Sequence, residues 1–218
     1  MNFAIENDLG HAVLHVTMDA GERLGAASGS MISRSSSVRT VTATGDDDVV
    51  GALGRVLSDE RAVLTTTFEA DADGSSLTLA PDRPGDVHRI DLAETGPVAV
   101  QSGDLLAWTD GVETSTALDE SGTVFASGER TVLELDGTGT AFLSASGCVR
   151  RYDVSSGDPL VVDEDHLLAW TDGLGVARGR DTSLRSGVPS DEGLVTAFSG
   201  DGRVWLQTRD GDRHLSDY

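Results

Sequence analysis

Short segments of alternating apolar and polar residues run along most of this chain, broken by glycine, aspartate and serine. Leu194, Thr196 and Phe198 fall on one face of an extended segment, and Val195 and Ala197 fall on the other. That period of two is the period of β-strands. Val204, Leu206 and Thr208 oppose Arg203, Trp205 and Gln207 in the same way. Apolar residues on both faces predict strands covered twice, by a sandwich core and by a neighbouring unit or chain. Strands beginning near 62, 131 and 194 each run into a glycine-rich turn and then a second strand, over 76–80, 140–144 and 203–208. The turns are Asp73-Gly74, Asp136-Gly137-Thr138-Gly139 and Ser199-Gly200-Asp201-Gly202. Asp-Gly between alternating segments predicts hairpins. Further strands are expected over 87–92 and 149–154.

One segment breaks the alternation. Asp46-Asp47-Asp48 precedes Val49, Val50, Leu53, Val56 and Leu57, whose spacing makes one apolar helical face. Carboxylates at a helix start accept from free amides and suit the dipole. The pattern predicts a short helix near 47–58, weakened by Gly51 and Gly54.

The segment Leu105-Leu106-Ala107-Trp108-Thr109-Asp110-Gly111 recurs letter for letter as Leu167-Leu168-Ala169-Trp170-Thr171-Asp172-Gly173. Such identity marks internal duplication. The expected organisation is one chain of three pseudo-repeats: a unit over 62–129, a unit over 130–192, and a third closed by both termini, 1–61 with 193–218. Terminal strands would then cover each other's edges.

The composition describes the solvent. There are 37 acidic residues against 16 cations in 218, a net charge of −21, and every cation is arginine. A lysine-free, aspartate-rich surface suits molar salt, where screening shortens self-repulsion to a few Å. A halophilic source is expected, and acidity therefore says little about partners. The single cysteine, Cys148, excludes an intrachain disulfide framework. With no signal-peptide pattern and no apolar run long enough to span a bilayer, a soluble cytoplasmic protein is expected.

Three groups of residues resemble a known family. They are Glu192-Gly193-Leu194-Val195 followed by the run from Phe198 through Arg209, Leu79-Ala80-Pro81 with Pro84-Gly85-Asp86, and the run from Gly137 through Ser144. Together they look like the altered-inheritance-of-mitochondria protein family over nearly the whole chain. The resemblance implies an all-β fold like that of the tryptophan RNA-binding attenuator protein, three fused double-stranded β-helix or β-sandwich units. It also implies a homotrimeric ring of nine units and no established catalytic activity. The chain departs from the family's usual pattern in its missing lysines, its acidity and its shortened later connectors.

The residues offer little conventional chemistry. His11 and His15 share a strand face but lie about 13 Å apart, too far for one metal. Asp165-His166 has no counterpart at Gly103-Asp104, and no His-x-His pair exists, so no metal site is expected. Asp46 to Asp48 fit helix capping better than cation binding. Cys148 has no histidine near it in sequence and is expected to be a small buried residue. The Gly-x-Gly turns precede strands rather than helices, so they are not phosphate loops. RNA binding in the manner of a ring would need Arg34, Arg39, Arg150, Arg151, Arg203 and Arg209 aligned on one rim, and the sequence shows no basic stripe. Trp108, Trp170 and Trp205 are the candidate packing or interface residues. Their repetition fits equivalent anchoring positions, and it also fits recent duplication. No catalytic residues and no cofactor are expected. The function expected is a non-catalytic scaffold or binding module whose partners are its own copies, an unidentified protein, or a small ligand held at a unit boundary.

Overall fold

The computed structural model describes residues 1–41, 65–116, 126–127, 130–180 and 194–210, and it is all-β. The helix expected near 47–58 lies outside the described residues. The first third contains β1 (Asn2–Asp8), β2 (His11–Met18), β3 (Arg23–Ala27), β4 (Met31–Arg34), β5 (Val38–Val41), β6 (Thr65–Ala70) and β7 (Ser75–Leu79). The middle contains β8 (Gly85–Asp91), β9 (Val98–Gln101), β10 (Leu105–Thr109), β11 (Val112–Thr116), β12 (Ala126–Ser127), β13 (Arg130–Gly137) and β14 (Thr140–Ser146). The last third contains β15 (Val149–Val154), β16 (Leu160–Asp163), β17 (Leu167–Thr171), β18 (Gly175–Arg180), β19 (Leu194–Ser199) and β20 (Gly202–Gln207). One helical turn, α1 (Leu92–Thr95), follows β8. The side chain of Asp91 caps it by accepting from Ala93 N, and Gly96 ends it with φ 77°.

The three Asp-Gly turns do not form hairpins. β6 and β7 pair with β3 and β2, β13 and β14 with β11 and β10, and β19 and β20 with β18 and β17. Each strand therefore bends at a glycine corner and keeps one partner on both arms. In the second ribbon Trp108 opposes Ala141 before the corner and Glu113 opposes Asp136 after it. In the third, Trp170 opposes Val204 and Val176 opposes Phe198. Positive φ at facing corners makes the bends possible: 84° at Gly21 with 71° at Gly74, 90° at Gly111 with 103° at Gly137, and 84° at Gly173 with 102° at Gly200. A hairpin would have kept both arms in one sheet. In the second and third ribbons the bend puts the two arms in different sheets, so apolar residues on both faces find cover, whereas both arms of the first ribbon stay in one sheet.

Three ribbons therefore follow one another along the chain, built from β2–β3 with β6–β7, β10–β11 with β13–β14, and β17–β18 with β19–β20. Among the described residues no strand within 1–41 pairs with one within 194–210.

The ribbons stack. One ten-stranded sheet runs β4-β7-β2-β8-β14-β10-β3-β6-β5, with β1 on β2. A seven-stranded sheet runs β11-β13-β9-β17-β20-β15, with β12 on β13, and a third sheet is β16-β19-β18. Within the identical heptad a β-bulge falls between Leu105 and Ala107, and again between Leu167 and Ala169. The bulge breaks strict alternation. Leu105 and Trp108 enter one core while Leu106 and Ala107 enter another. In the second copy Leu168 and Ala169 enter the core that holds Trp108, and Leu167 and Trp170 enter a third. The two heptads thus act as walls between three successive hydrophobic cores. That accounts for four consecutive apolar residues in a strand that shows almost none of them to water.

Candidate functional site

The three tryptophans singled out by the sequence are buried. Trp108 packs over Gly25 in the ten-stranded sheet, where an added Cβ would come within 2.3 Å of the ring. Trp170 lies opposite Ala99 and meets Phe198 at 5.6 Å between ring centroids. Trp205 faces the central core, and its ring is 6.1 Å from that of His88.

The six arginines proposed as an RNA rim do not form one. Arg39 is engaged by Glu69 and by Asp71, and Arg34 donates to the backbone of Val38, both near the outer strands β4 and β5. Arg150 and Arg151 are neighbours on β15 and so point to opposite faces. Arg151 and Arg203 join Arg89 around a polar groove of about 400 Å³ between β8, β15 and β20, together with Asp91 and Glu94. His88 lines the same groove. Burial holds its pKa below the ordinary imidazole value, Asp86 opposes that shift, and Arg151 reinforces it.

A larger cleft of about 750 Å³ opens where four segments meet, residues 9–11, 83–84, 146–148 and 208–209. Its first wall is the tip of the β1–β2 hairpin, where Leu9 and Gly10 both have positive φ, 52° and 81°. Those values suit the tight hairpin turn, but a leucine adopts the left-handed region at a cost of about 1–2 kcal/mol. Leu9 is also 93% exposed, the most exposed large apolar side chain among the described residues. A strained, solvent-facing leucine on a cleft rim is a feature that packing alone does not explain.

The other walls are the connectors that follow the returning arms of the three ribbons. Gly147 N donates to Pro84 O at 3.2 Å, Cys148 N to Thr208 Oγ1 at 2.9 Å, Thr208 N to Cys148 O at 3.0 Å, and Arg209 N to Ser146 O at 3.2 Å. The convergence needs glycine. A Cβ at Gly85 would lie 1.7 Å from Ala145 O, and one at Gly147 would lie 2.4 Å from Thr208 Oγ1. Gln207 adds a support by accepting from Ser146 N at 2.9 Å.

The charge of this cleft is opposite to that of the chain. Among the described residues no aspartate or glutamate lines it, although the chain carries 37 of them. Its titratable residues are His11, Arg83, Cys148 and Arg209. Arg83 is held rigid behind the wall: Nη2 donates to Oδ1 of the fully buried Asp104 at 2.9 Å, and Nε lies 3.5 Å from Asp82. Ser146 is 3% exposed, and its hydroxyl has no hydrogen-bond partner. Such a group costs free energy unless something satisfies it.

Cys148, expected to be buried, is exposed on this cleft. It immediately precedes β15 at the crossing of two connectors, where its backbone N and O both bond to Thr208. Among the described residues no three His, Cys, Asp or Glu side chains gather as a metal site would require. Sequence reasoning missed Leu9, Arg83 and Ser146, and named Arg209 only for an RNA rim, because four distant segments supply the cleft. The stretch from Gly137 to Tyr152 carries no acidic residue, but neither does the longer stretch 23–45, so local composition did not mark the cleft.

The mitochondrial biogenesis AIM24 family model matches residues 3–209. An uncharacterized protein of Streptococcus pyogenes serotype M6 is 23% identical over 215 residues, spanning 95% of this chain and 86% of that one. The X-ray structure of a Streptococcus pyogenes protein aligns with a TM-score of 0.76 at 22% identity, over 96% of this chain and 94% of that chain. At that identity the likeness is one of fold.

Proposed function

The chain belongs to the mitochondrial biogenesis AIM24 family, and on that premise we propose that it is a non-catalytic, self-associating scaffold or binding protein. The observation that carries this reading is where the exposed apolar side chains sit. Ile5, Met31, Ile32, Tyr152 and Val161 are exposed large hydrophobics on β1, β4, β15 and β16. Among the described residues each of these strands pairs on one side only. An unpaired backbone edge beside an apolar side chain is a template for another chain. A homotrimer is the assembly implied by the family resemblance, and the open edges supply surfaces for it.

The setting proposed is a reducing, salt-rich cytoplasm, supported by one cysteine and the absence of lysine. Among the described residues no helix is long and apolar enough to cross a membrane.

Light scattering on the purified chain in molar KCl tests the assembly. A mass three times 22.7 kDa is expected, and Tyr152→Asp combined with Val161→Asp is expected to lower it. A monomer at all concentrations would overturn the proposal.

A second reading, ligand binding at a unit junction, is favoured by the acid-free cleft between the ribbon connectors.

A further inference from the structure

We propose that the cleft formed by residues 9–11, 83–84, 146–148 and 208–209 binds a small amphipathic carboxylate, an acyl chain of medium length ending in one negative charge. The inference rests on the junction-binding reading and gives it a ligand class.

Three independent features point to this chemistry. The first is size and lining. About 750 Å³ with walls that are mostly carbon, from Leu9, Pro84, the glycines and the stem of Arg209, suits a compact organic ligand rather than a bare ion. The second is charge. A chain of net charge −21 should repel anions from most of its surface, yet His11, Arg83 and Arg209 line this cleft and, among the described residues, no carboxylate does, Asp82 and Asp104 meeting Arg83 from outside the lining. Arg83 is fixed in place by Asp104, whose carboxylate offsets its field in the cleft and leaves Arg209 as the principal cation. In molar salt, long-range attraction is screened within about 3 Å, so only a charge-assisted hydrogen bond at contact can discriminate. A guanidinium on the cleft wall offers that contact to a carboxylate oxygen. The third is the unsatisfied Ser146 hydroxyl, 3% exposed, on a wall where every neighbouring backbone donor is already used. The hydroxyl is enclosed in the wall as it stands, and rotation about χ1 would turn it toward a carboxylate oxygen in the cleft. Leu9, held in a strained turn and exposed to water, then has an apolar chain to cover.

Cys148 lies on the same cleft and is the only cysteine in the chain, so its alkylation rate reports occupancy. The experiment measures labelling of the full chain by N-ethylmaleimide in molar KCl, with increasing octanoate, 1-octanol or acetate, and with circular dichroism to exclude unfolding. Octanoate is expected to slow labelling saturably, by at least ten-fold. 1-Octanol should need at least five-fold higher concentration, and acetate should give no protection. Arg209→Gln is expected to abolish the preference of octanoate over 1-octanol, and Ser146→Ala to weaken octanoate at least three-fold. Equal protection by octanoate and 1-octanol would overturn the carboxylate assignment while leaving junction binding standing. No protection by either would overturn junction binding as well. Retained preference in both folded variants would show that neither Arg209 nor Ser146 holds the charge, and would sink the proposal.

Discussion

Gly25 lies directly beneath the indole of Trp108, so close that a methyl group there would stand 2.3 Å from Cε2. The two residues are register partners on β3 and β10. The same position under Trp170 is taken by Ala99. Identical heptads thus sit on different floors: the first needs the absence of a side chain and the second tolerates one.

Gly25→Ala is expected to destabilise the chain by about 1–3 kcal/mol, because the added methyl group overlaps the indole of a tryptophan that is itself buried. For a chain of this size that is a fall of roughly 3–10 °C in thermal midpoint. Ala99→Gly, made as the reciprocal change, should cost about 1 kcal/mol or less, chiefly from added backbone freedom. Thermal melts followed by tryptophan fluorescence and circular dichroism compare the two. Equal midpoints for Gly25→Ala and the parent would show that the contact is slack.

His88 sets an acid-side limit on stability. Its folded pKa is lowered from 6.5, first by burial and further by Arg151, against the pull of Asp86. The unfolded chain therefore binds the proton more readily than the folded one. Stability from this group is complete above pH 6.5 and is lost as pH falls below it, through the interval down to the folded pKa. Glu22 and Asp201 have lowered pKa values too, held down by the N-terminal ammonium and by Ser156, and their contributions fade only in the more acidic carboxylate range. Denaturant midpoints at pH 7.5 and 5.5 should drop for the parent and drop less for His88→Gln. Parallel drops would assign the effect elsewhere.

The third expectation concerns salt. With 37 carboxylates and 16 guanidiniums, dialysis from molar to millimolar KCl lengthens the reach of repulsion from a few Å to about 30 Å or more. Loss of the β-sheet circular dichroism signal is expected, with recovery on restoring salt. An unchanged spectrum in millimolar KCl would refute the halophilic reading.

Much of this architecture was legible in the residue order. Strands β8, β14, β15, β19 and β20 fall within a few residues of the segments picked out by alternation. The all-β class and the twofold covering of central strands followed from apolar residues on both faces. Val204 and Trp205, adjacent on β20, enter different cores as that pattern requires. The bulge inside Leu-Leu-Ala-Trp was not legible, because four apolar residues in a row carry no period. α1 was hidden as well: Leu92-Ala93-Glu94-Thr95 is too short to show helical spacing, and its cap depends on Asp91 ending a strand.

The sequence by itself determined where strands run, where glycine lets the backbone turn, and that one heptad recurs letter for letter, since these depend on neighbours a few residues away. Tertiary structure alone decided which strand pairs with which. Asp136-Gly137 can close a hairpin or bend a ribbon, and the choice falls to the bend because only separate layers cover both faces of Leu133, Leu135, Ala141 and Phe142. It likewise decided that Leu9, Arg83, Ser146, Cys148 and Arg209 share one cleft, since their meeting depends on glycine contacts between connectors that lie 60 or more residues apart in the chain.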